Sequence, residues 1–410
     1  MNNRAFSIVF LTVFIDLLGF GLVVPILSVY VKEIGASNFQ VGLMASIFAI
    51  TSFLFTPFLG SLSDRIGRRP IILFGIAMNV IGYLIFSQAF ILPILILSRI
   101  LNGLGSSNIS AAQAYVADIS SPENRTKYMG LIGAAFGLGF IFGPAFGGLI
   151  KAQLGFSYVG YTAAALCALN FVSAYFLLPE SLKEKNTSSP IRLFPVVDFF
   201  TAIKNPLLAS FFTLMFVYVF AFGLMQTVIA NLWKERYGLD DNHIGYLFTV
   251  IGIFSALVQG VLVSKMLKVV GEQKMLLYGI ILLTIGFASI SFVPTENFWI
   301  YAIINIGFIS TGSGLLGPSI MAMVSKSADA HIQGKVLGLN QAVSSVARIV
   351  GPIFSGILYD LHNSVPFLTA ALVMGMSLFI ATSALHKYSS LATPASENIT
   401  EDEFVGELQK

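Results

Sequence analysis

Charge is the scarcest property of this chain. Lys, Arg, Asp and Glu make up 10% of its 410 residues, whereas an ordinary soluble domain has about 25%. That shortage points away from a soluble protein. The single cysteine, Cys167, lies inside an apolar run, so neither a disulfide framework nor a cysteine metal site is expected within one chain. Histidine is nearly as sparse. His243, His331, His362 and His386 fall in loops or at the ends of apolar runs, no two at metal-ligand spacing, and no phosphate-cradling glycine loop of the P-loop type accompanies them. An enzyme, a bound metal or cofactor, and an ATP-driven pump are therefore not expected. The net charge is only +3 and its basic residues are dispersed, which argues against a nucleic-acid partner.

What the chain has in abundance is apolar length: 56% of its residues are hydrophobic. A helix crossing a bilayer needs roughly 20 such residues. Windows of that kind predict twelve spans, near 6–31, 39–62, 71–89, 92–117, 127–150, 157–178, 207–232, 242–264, 275–293, 297–324, 335–359 and 365–386. The runs are continuous, not alternating over about ten residues, so a β-barrel is excluded. The fold class expected is an all-α integral membrane protein with the lipid bilayer as its solvent. No cleavable signal peptide is evident, and the first run stays as the first span. With a cytoplasmic N-terminus, the far side carries only Lys32, Lys151, Lys234 and Arg236, and Arg99 and Arg348 are left within the membrane. Both termini are then cytoplasmic by the positive-inside rule.

The chain reads as two copies of one plan. Lys127, Gly130, Leu131, Ala134, Gly143, Pro144 and Gly148 recur as Lys335, Gly338, Leu339, Ala342, Gly351, Pro352 and Gly356 at one constant offset. This predicts a six-helix bundle over 1–182, a cytoplasmic linker over 183–205, a second bundle over 206–388 and a disordered acidic tail over 389–410. Two such bundles suit alternating access, with substrate held between them near the midplane.

Specific motifs sharpen the reading. GSLSDRIGRRP, from Gly60 to Pro70, reads as the loop between spans two and three. Its Asp64 stands beside Arg65, Arg68 and Arg69, and its Gly60 and Gly67 permit close helix approach. A carboxylate among arginines can form a charge-assisted lock that breaks when bundles move. The corresponding SKMLKVVGEQK keeps Gly271 at the Gly67 position. This loop, together with LSRILNGLGSS around Arg99 and Gly103, resembles the signatures of the major facilitator superfamily. GAAFGLGFIFGPAFGG, with Gly143 and Pro144, is similar to the fifth-helix motif of its drug:proton antiporter branch. With FIDLLGFGLVVP, YVADISSPENR and LPES, the likeness is to tetracycline-resistance-type efflux proteins. The resemblance implies a twelve-helix major facilitator fold and a proton-coupled exporter of small molecules in the bacterial plasma (inner) membrane. The chain departs from the tetracycline exporters where they carry an acid in span three: Gly82 precedes Tyr83 here, and span nine has no acid either. That argues against a cationic or metal-chelated tetracycline as substrate.

Candidate residues follow from position. Asp16 lies roughly 15 Å into the membrane by helix rise, where an ionised acid is costly and usually functional. It is the candidate proton-coupling site together with Arg99, and it exchanges between a proton and Arg348 or Arg99, or else stays protonated and only bonds a neighbouring helix. Arg99 is expected on the Gly21 carbonyl, which Pro25 leaves without its helical donor, or snorkelling to the outer interface. Gly60, Asp64, Arg65, Gly67, Arg68, Arg69, Gly143 and Pro144 are expected to govern conformational exchange. Asn108, Gln113, Tyr218, Gln226, Asn305, Gln341 and Arg348 are the candidate cavity residues. The substrate expected is an amphiphilic small molecule, exchanged for protons by a monomer. An endogenous lipid-like, siderophore or metabolite anion is the alternative cargo, and a receptor or channel is the alternative class.

Overall fold

The computed structural model describes residues 3–120, 122–182, 205–328 and 333–392. Nearly all of the expected linker and tail, residues 183–204 and 393–410, lies outside the described residues. So do the side chains of Lys127, Gly130, Gly133, Ala134, Gly137 and Lys335. No strand occurs among the described residues, as a membrane interior requires when helices must satisfy every backbone group internally.

The first half contains α1 (Asn3–Glu33), α2 (Asn38–Ile66), α3 (Arg68–Ser87), α4 (Leu92–Gly105), α5 (Asn108–Ile119), α6 (Pro122–Leu154) and α7 (Phe156–Leu177). The second contains α8 (Pro206–Tyr237), α9 (Asp241–Leu257), a π turn (Val258–Leu262), α10 (Val263–Ile290), α11 (Phe298–Lys326), α12 (Gln333–Leu361) and α13 (Val365–Ala392). Helix starts are marked by side chains. Ser37 and Gln40 form a reciprocal capping box on α2, and Asn205 accepts from the amides of Leu207 and Leu208 at the start of α8. Asp240 accepts the His243 amide at 2.9 Å, which holds its carboxyl below the usual carboxylate range.

Nine segments among the described residues are long and apolar enough to cross a membrane, and three departures from the expected spans explain the difference from twelve. Where spans eight and nine were expected, Asp241–Ile290 is one helical run, bent by the π turn and by Gly271 at φ 74°. The expected fourth span is divided into α4 and α5, each short. Ser106 and Ser107 turn their hydroxyls back onto the carbonyls of Gly103 and Leu104, both at 2.7 Å, and so compete with the helix at the break. Finally, many side chains of α6 lie outside the described set. The GSLSDRIGRRP stretch is also not a loop. Helix continues through Ile66 and resumes at Arg68, and the whole turn is made by Gly67 at φ 116°, a conformation closed to most other residues.

Two hydrophobic cores form. One gathers residues between Ala5 and Leu178; the other gathers residues between Leu207 and Leu385, with Val29 reaching across to it. The repeated positions pack alike in both. A Cβ on Gly143 would stand 2.6 Å from Gly21 Cα, pressing α6 onto α1. One on Gly351 would stand 3.0 Å from the Phe220 carbonyl oxygen and 3.4 Å from Gly223 Cα, pressing α12 onto α8 in the same way.

Candidate functional site

Between the two halves lies a cavity of about 2640 Å³, larger than the roughly 300–1,000 Å³ of an ordinary small-molecule pocket. Asp16, Phe20, Phe48, Arg99 and Gln113 line it from the first half, and Tyr218, Phe222, Gln226, Gln341 and Arg348 from the second. It extends to Gly60 and Asp64 at one end of the molecule.

Asp16, on α1, is only 5% exposed. One carboxylate oxygen accepts from Asn79 Nδ2 on α3 at 3.1 Å, and the other accepts from Asn108 Nδ2 at the start of α5. The break between α4 and α5 thus brings Asn108 to the acid. Asn108 does not line the cavity, and its own Oδ1 is buried without a partner. The network continues: Asn102 Nδ2 lies 3.4 Å from Asn79 Oδ1, and Asn102 Oδ1 accepts from Arg99 Nη2 at 3.0 Å. Arg99 and Asp16 are therefore linked through two carboxamides, each donating toward the acid. Asn79 and Asn102 were missed at the sequence level, because an asparagine in a membrane helix is commonly a packing bond and nothing in its spacing marks it.

No ion pair joins Asp16 to Arg99 or to Arg348 in this structure. Arg99 does not take the Gly21 carbonyl. Gly21 is packed against Gly139, Gly143 and Pro144 of α6, while the guanidinium, 2% exposed, lies 5.6 Å from the Phe86 ring centre and 6.0 Å from that of Phe48. Nor does it snorkel, for its Nε is buried and unpartnered. Arg348, by contrast, is exposed to the cavity, with Tyr218 as its ionisable neighbour. The other candidate cavity residues, Gln113, Gln226, Asn305 and Gln341, also line the space, and the amide of Asn305 donates to the Gly286 carbonyl and to Ser289, both at 2.7 Å.

At the Asp64 end, Arg68 pairs with Asp64 at 2.6 Å and Asp118 at 3.1 Å and donates to Ser63 at 2.6 Å. Glu180, from the LPES stretch, accepts the backbone amides of Arg68 and Arg69 at 2.9 and 3.2 Å, and so caps α3 from another part of the chain. Arg69 reaches the Tyr175 carbonyl at 2.6 Å. Arg65, half-buried on the last turn of α2, does not share in the Asp64 pair. In the second half the equivalent position carries the opposite sign: Glu272 pairs with Lys326 at 2.7 Å.

The other end is shut. A Cβ on Gly148 of α6 would overlap Gly245 of α9, and one on Gly356 of α12 would stand 2.7 Å from the Asn38 carbonyl carbon of α2. Beside these contacts Lys151 bridges Glu33 at 3.1 Å and Asp241 at 3.2 Å, and Lys234 reaches the same two acids at 2.6 and 3.7 Å. Asn38 donates to Asp360 at 2.7 Å and Ser46 to the Ile349 carbonyl at 2.6 Å, both across the halves. At the sequence level these lysines only reported orientation.

A helical chain with two similar halves, a large central cavity and one sealed end has the organisation of a membrane transporter, and this chain belongs to the Major Facilitator Superfamily, which matches it over residues 9–266 and 214–402. Among its relatives, the class C tetracycline resistance protein of Escherichia coli is 32% identical over 92% of this chain and 95% of that protein. Multidrug resistance protein 2 of Bacillus subtilis (strain 168) is 32% identical over 92% of this chain and 94% of its own. The crystal structure of the nucleoside transporter NupG shares the fold, with a TM-score of 0.75 at 14% identity over 95% of this chain and 99% of that one.

Proposed function

We propose that this protein is a proton-coupled exporter of amphiphilic small molecules, working by alternating access as a monomer with twelve crossings. On this reading 1–182 and 206–388 are the two moving bundles, 183–205 joins them, and both termini lie on the cytoplasmic face of a bacterial inner membrane. The Asp64 end is then cytoplasmic, and the arrangement described above is the inward-facing state. The names of the relatives, a tetracycline and a multidrug resistance protein, support export.

The observation that carries the reading is Asp16: a carboxylic acid at the wall of the cavity, bonded by two neutral amides and by no cation in ion-pair range. A carboxylate held only by neutral donors in a membrane span can take up a proton without breaking a salt bridge. When the bundles rock and the cavity faces the other side, the same acid meets the other proton concentration. Arg99 acts through Asn102 and Asn79 on the placement of that acid, and the Asp64–Arg68–Asp118 cluster with Gly60, Gly67, Gly143 and Pro144 serves the rocking itself.

The test is transport by the purified protein in proteoliposomes under an imposed proton gradient. Asp16→Asn keeps a hydrogen-bonding group of the same shape and removes titration, so this variant is expected to exchange substrate down its gradient and to lose uphill accumulation. Uphill transport at the wild-type rate by Asp16→Asn would remove Asp16 from the coupling step.

A further inference from the structure

Arg348 stands out among the charged groups of the cavity because its charge has no counter-charge. The acids that line the space are Asp16 and Asp64, and each is engaged elsewhere: Asp16 with Asn79 and Asn108, Asp64 with Arg68. The described acids of the second half are Glu235, Asp240, Asp241 and Asp360 at helix ends, Glu272 beside the Gly271 bend of α10 and Glu296 in the turn before α11, and none of them lines the cavity. Among the described residues no carboxylate lies within 4.0 Å of Arg348, although the guanidinium is exposed to the cavity in the middle of α12. The other arginine of the cavity, Arg99, is buried and enclosed by Asn102 and two phenylalanine rings. A permanently charged group is expensive at membrane depth and is retained there when a function uses the charge.

The cavity it faces adds the rest of a binding site. Tyr218 is its ionisable neighbour, Gln226 and Gln341 offer neutral donors, and Phe216 and Phe222 supply aromatic faces to the same cavity from the second half. A planar guanidinium grips a carboxylate through two parallel hydrogen bonds, which an ammonium cannot do. Aromatic walls around it suit a flat apolar body.

We propose that Arg348 is the counter-ion for the anionic group of the exported molecule, and that the substrate class is aromatic amphiphiles bearing a carboxylate. This assignment rests on the exporter reading above and names its cargo. It divides the labour between the halves: the first holds the proton at Asp16, and the second holds the organic anion at Arg348.

The experiment uses the full chain in proteoliposomes with three probes sharing one ring system: 1-pyrenebutyrate, its methyl ester and 1-pyrenebutylamine. The wild type is expected to bind the acid on the order of 10- to 30-fold more tightly than the ester, the low end of what a close charge pair supplies when water reaches the site. Arg348→Gln is expected to abolish that preference, and Arg348→Lys to keep part of it because charge remains and the planar fork does not. Ester or amine binding as tight as acid to the wild-type protein overturns the proposal, and this comparison needs no variant. Wild-type affinity for the acid in Arg348→Gln overturns it equally. In either case substrate-driven proton movement with the ester leaves the exporter reading standing. If none of the three probes moves protons in the wild type, both readings fall together.

Discussion

Lys151 offers the sharpest perturbation of the sealed end. Its side chain is 6% exposed and is shared between Glu33 on α1 and Asp241 on α9, so it ties α6 to both halves of the molecule. At 3.1 and 3.2 Å each contact is worth about 5 kcal/mol of gross attraction for an effective dielectric constant of about 20. Most of that is offset by removing Lys151 from water and by repulsion from Lys234, which sits on the same two acids. Glu33 is 38% exposed and Lys234 40%, so solvent screens the outer contacts to a few tenths of a kcal/mol each. The net contribution of Lys151 to keeping this end shut is then about 1–2 kcal/mol, or roughly 5- to 30-fold in the closed-to-open ratio. Lys151→Met retains the length of the side chain and removes the charge, leaving two acids on one lysine.

Opening can be read with a single reporter. Ser28 is buried at the cavity wall toward this end, and the natural cysteine, Cys167, is fully buried and gives little background. In a Ser28→Cys protein, a membrane-impermeant maleimide supplied on the Glu33 side is expected to react about 5- to 30-fold faster once Lys151→Met is added. An unchanged alkylation rate in protein that is still folded and binds substrate would refute the argument that this cluster holds the end closed.

Two further outcomes follow from the same geometry. Glu180→Gln removes the charged acceptor from the amides of Arg68 and Arg69 and is expected to lower stability by about 1 kcal/mol, the usual worth of a helix cap; an unchanged melting curve in detergent would show that water replaces it. Gly148→Leu places a side chain where Gly245 packs and is expected to prevent closure, so that Ser28→Cys reacts from the Glu33 side while counterflow of substrate is lost; wild-type counterflow in that variant would show that the two helices need not touch.

How much of this was legible beforehand depends on whether a residue speaks through pattern or through partner. The helices were legible because apolar length is a property of the sequence alone. So was the repeat, because Gly143 and Gly351 must meet the same constraint, close approach to the first helix of their own half. Asp16 was legible as an isolated charge in an apolar run. Its partners were not: Asn79, Asn102 and Asn108 become a network only when the break at Ser106 and Ser107 brings α5 toward α1. The turn at Gly67 was read as a loop because charges usually mark loops, and one glycine at positive φ allows two long helices to meet with no loop between them. Lys151 and Glu33 were invisible as a pair because 118 positions separate them in the chain.

The duplicated plan also explains why motifs in the first half were so much more informative than those in the second. The skeleton is repeated, but the chemistry placed on it is not. Arg68 at the start of α3 pairs with Asp118 at the end of α5, while at the corresponding joint Glu272 pairs with Lys326 at the end of α11, the same contact with its charges reversed. Either order holds two helices together, so packing alone does not choose between them. The cavity differs in the same way. The first half contributes an acid embedded in amides, and the second a guanidinium among aromatic rings and glutamines. On the reading proposed above, a backbone built twice would supply the two bodies that rock about one axis, and the unlike side chains on the two facing walls would let one body hold a proton while the other holds the cargo.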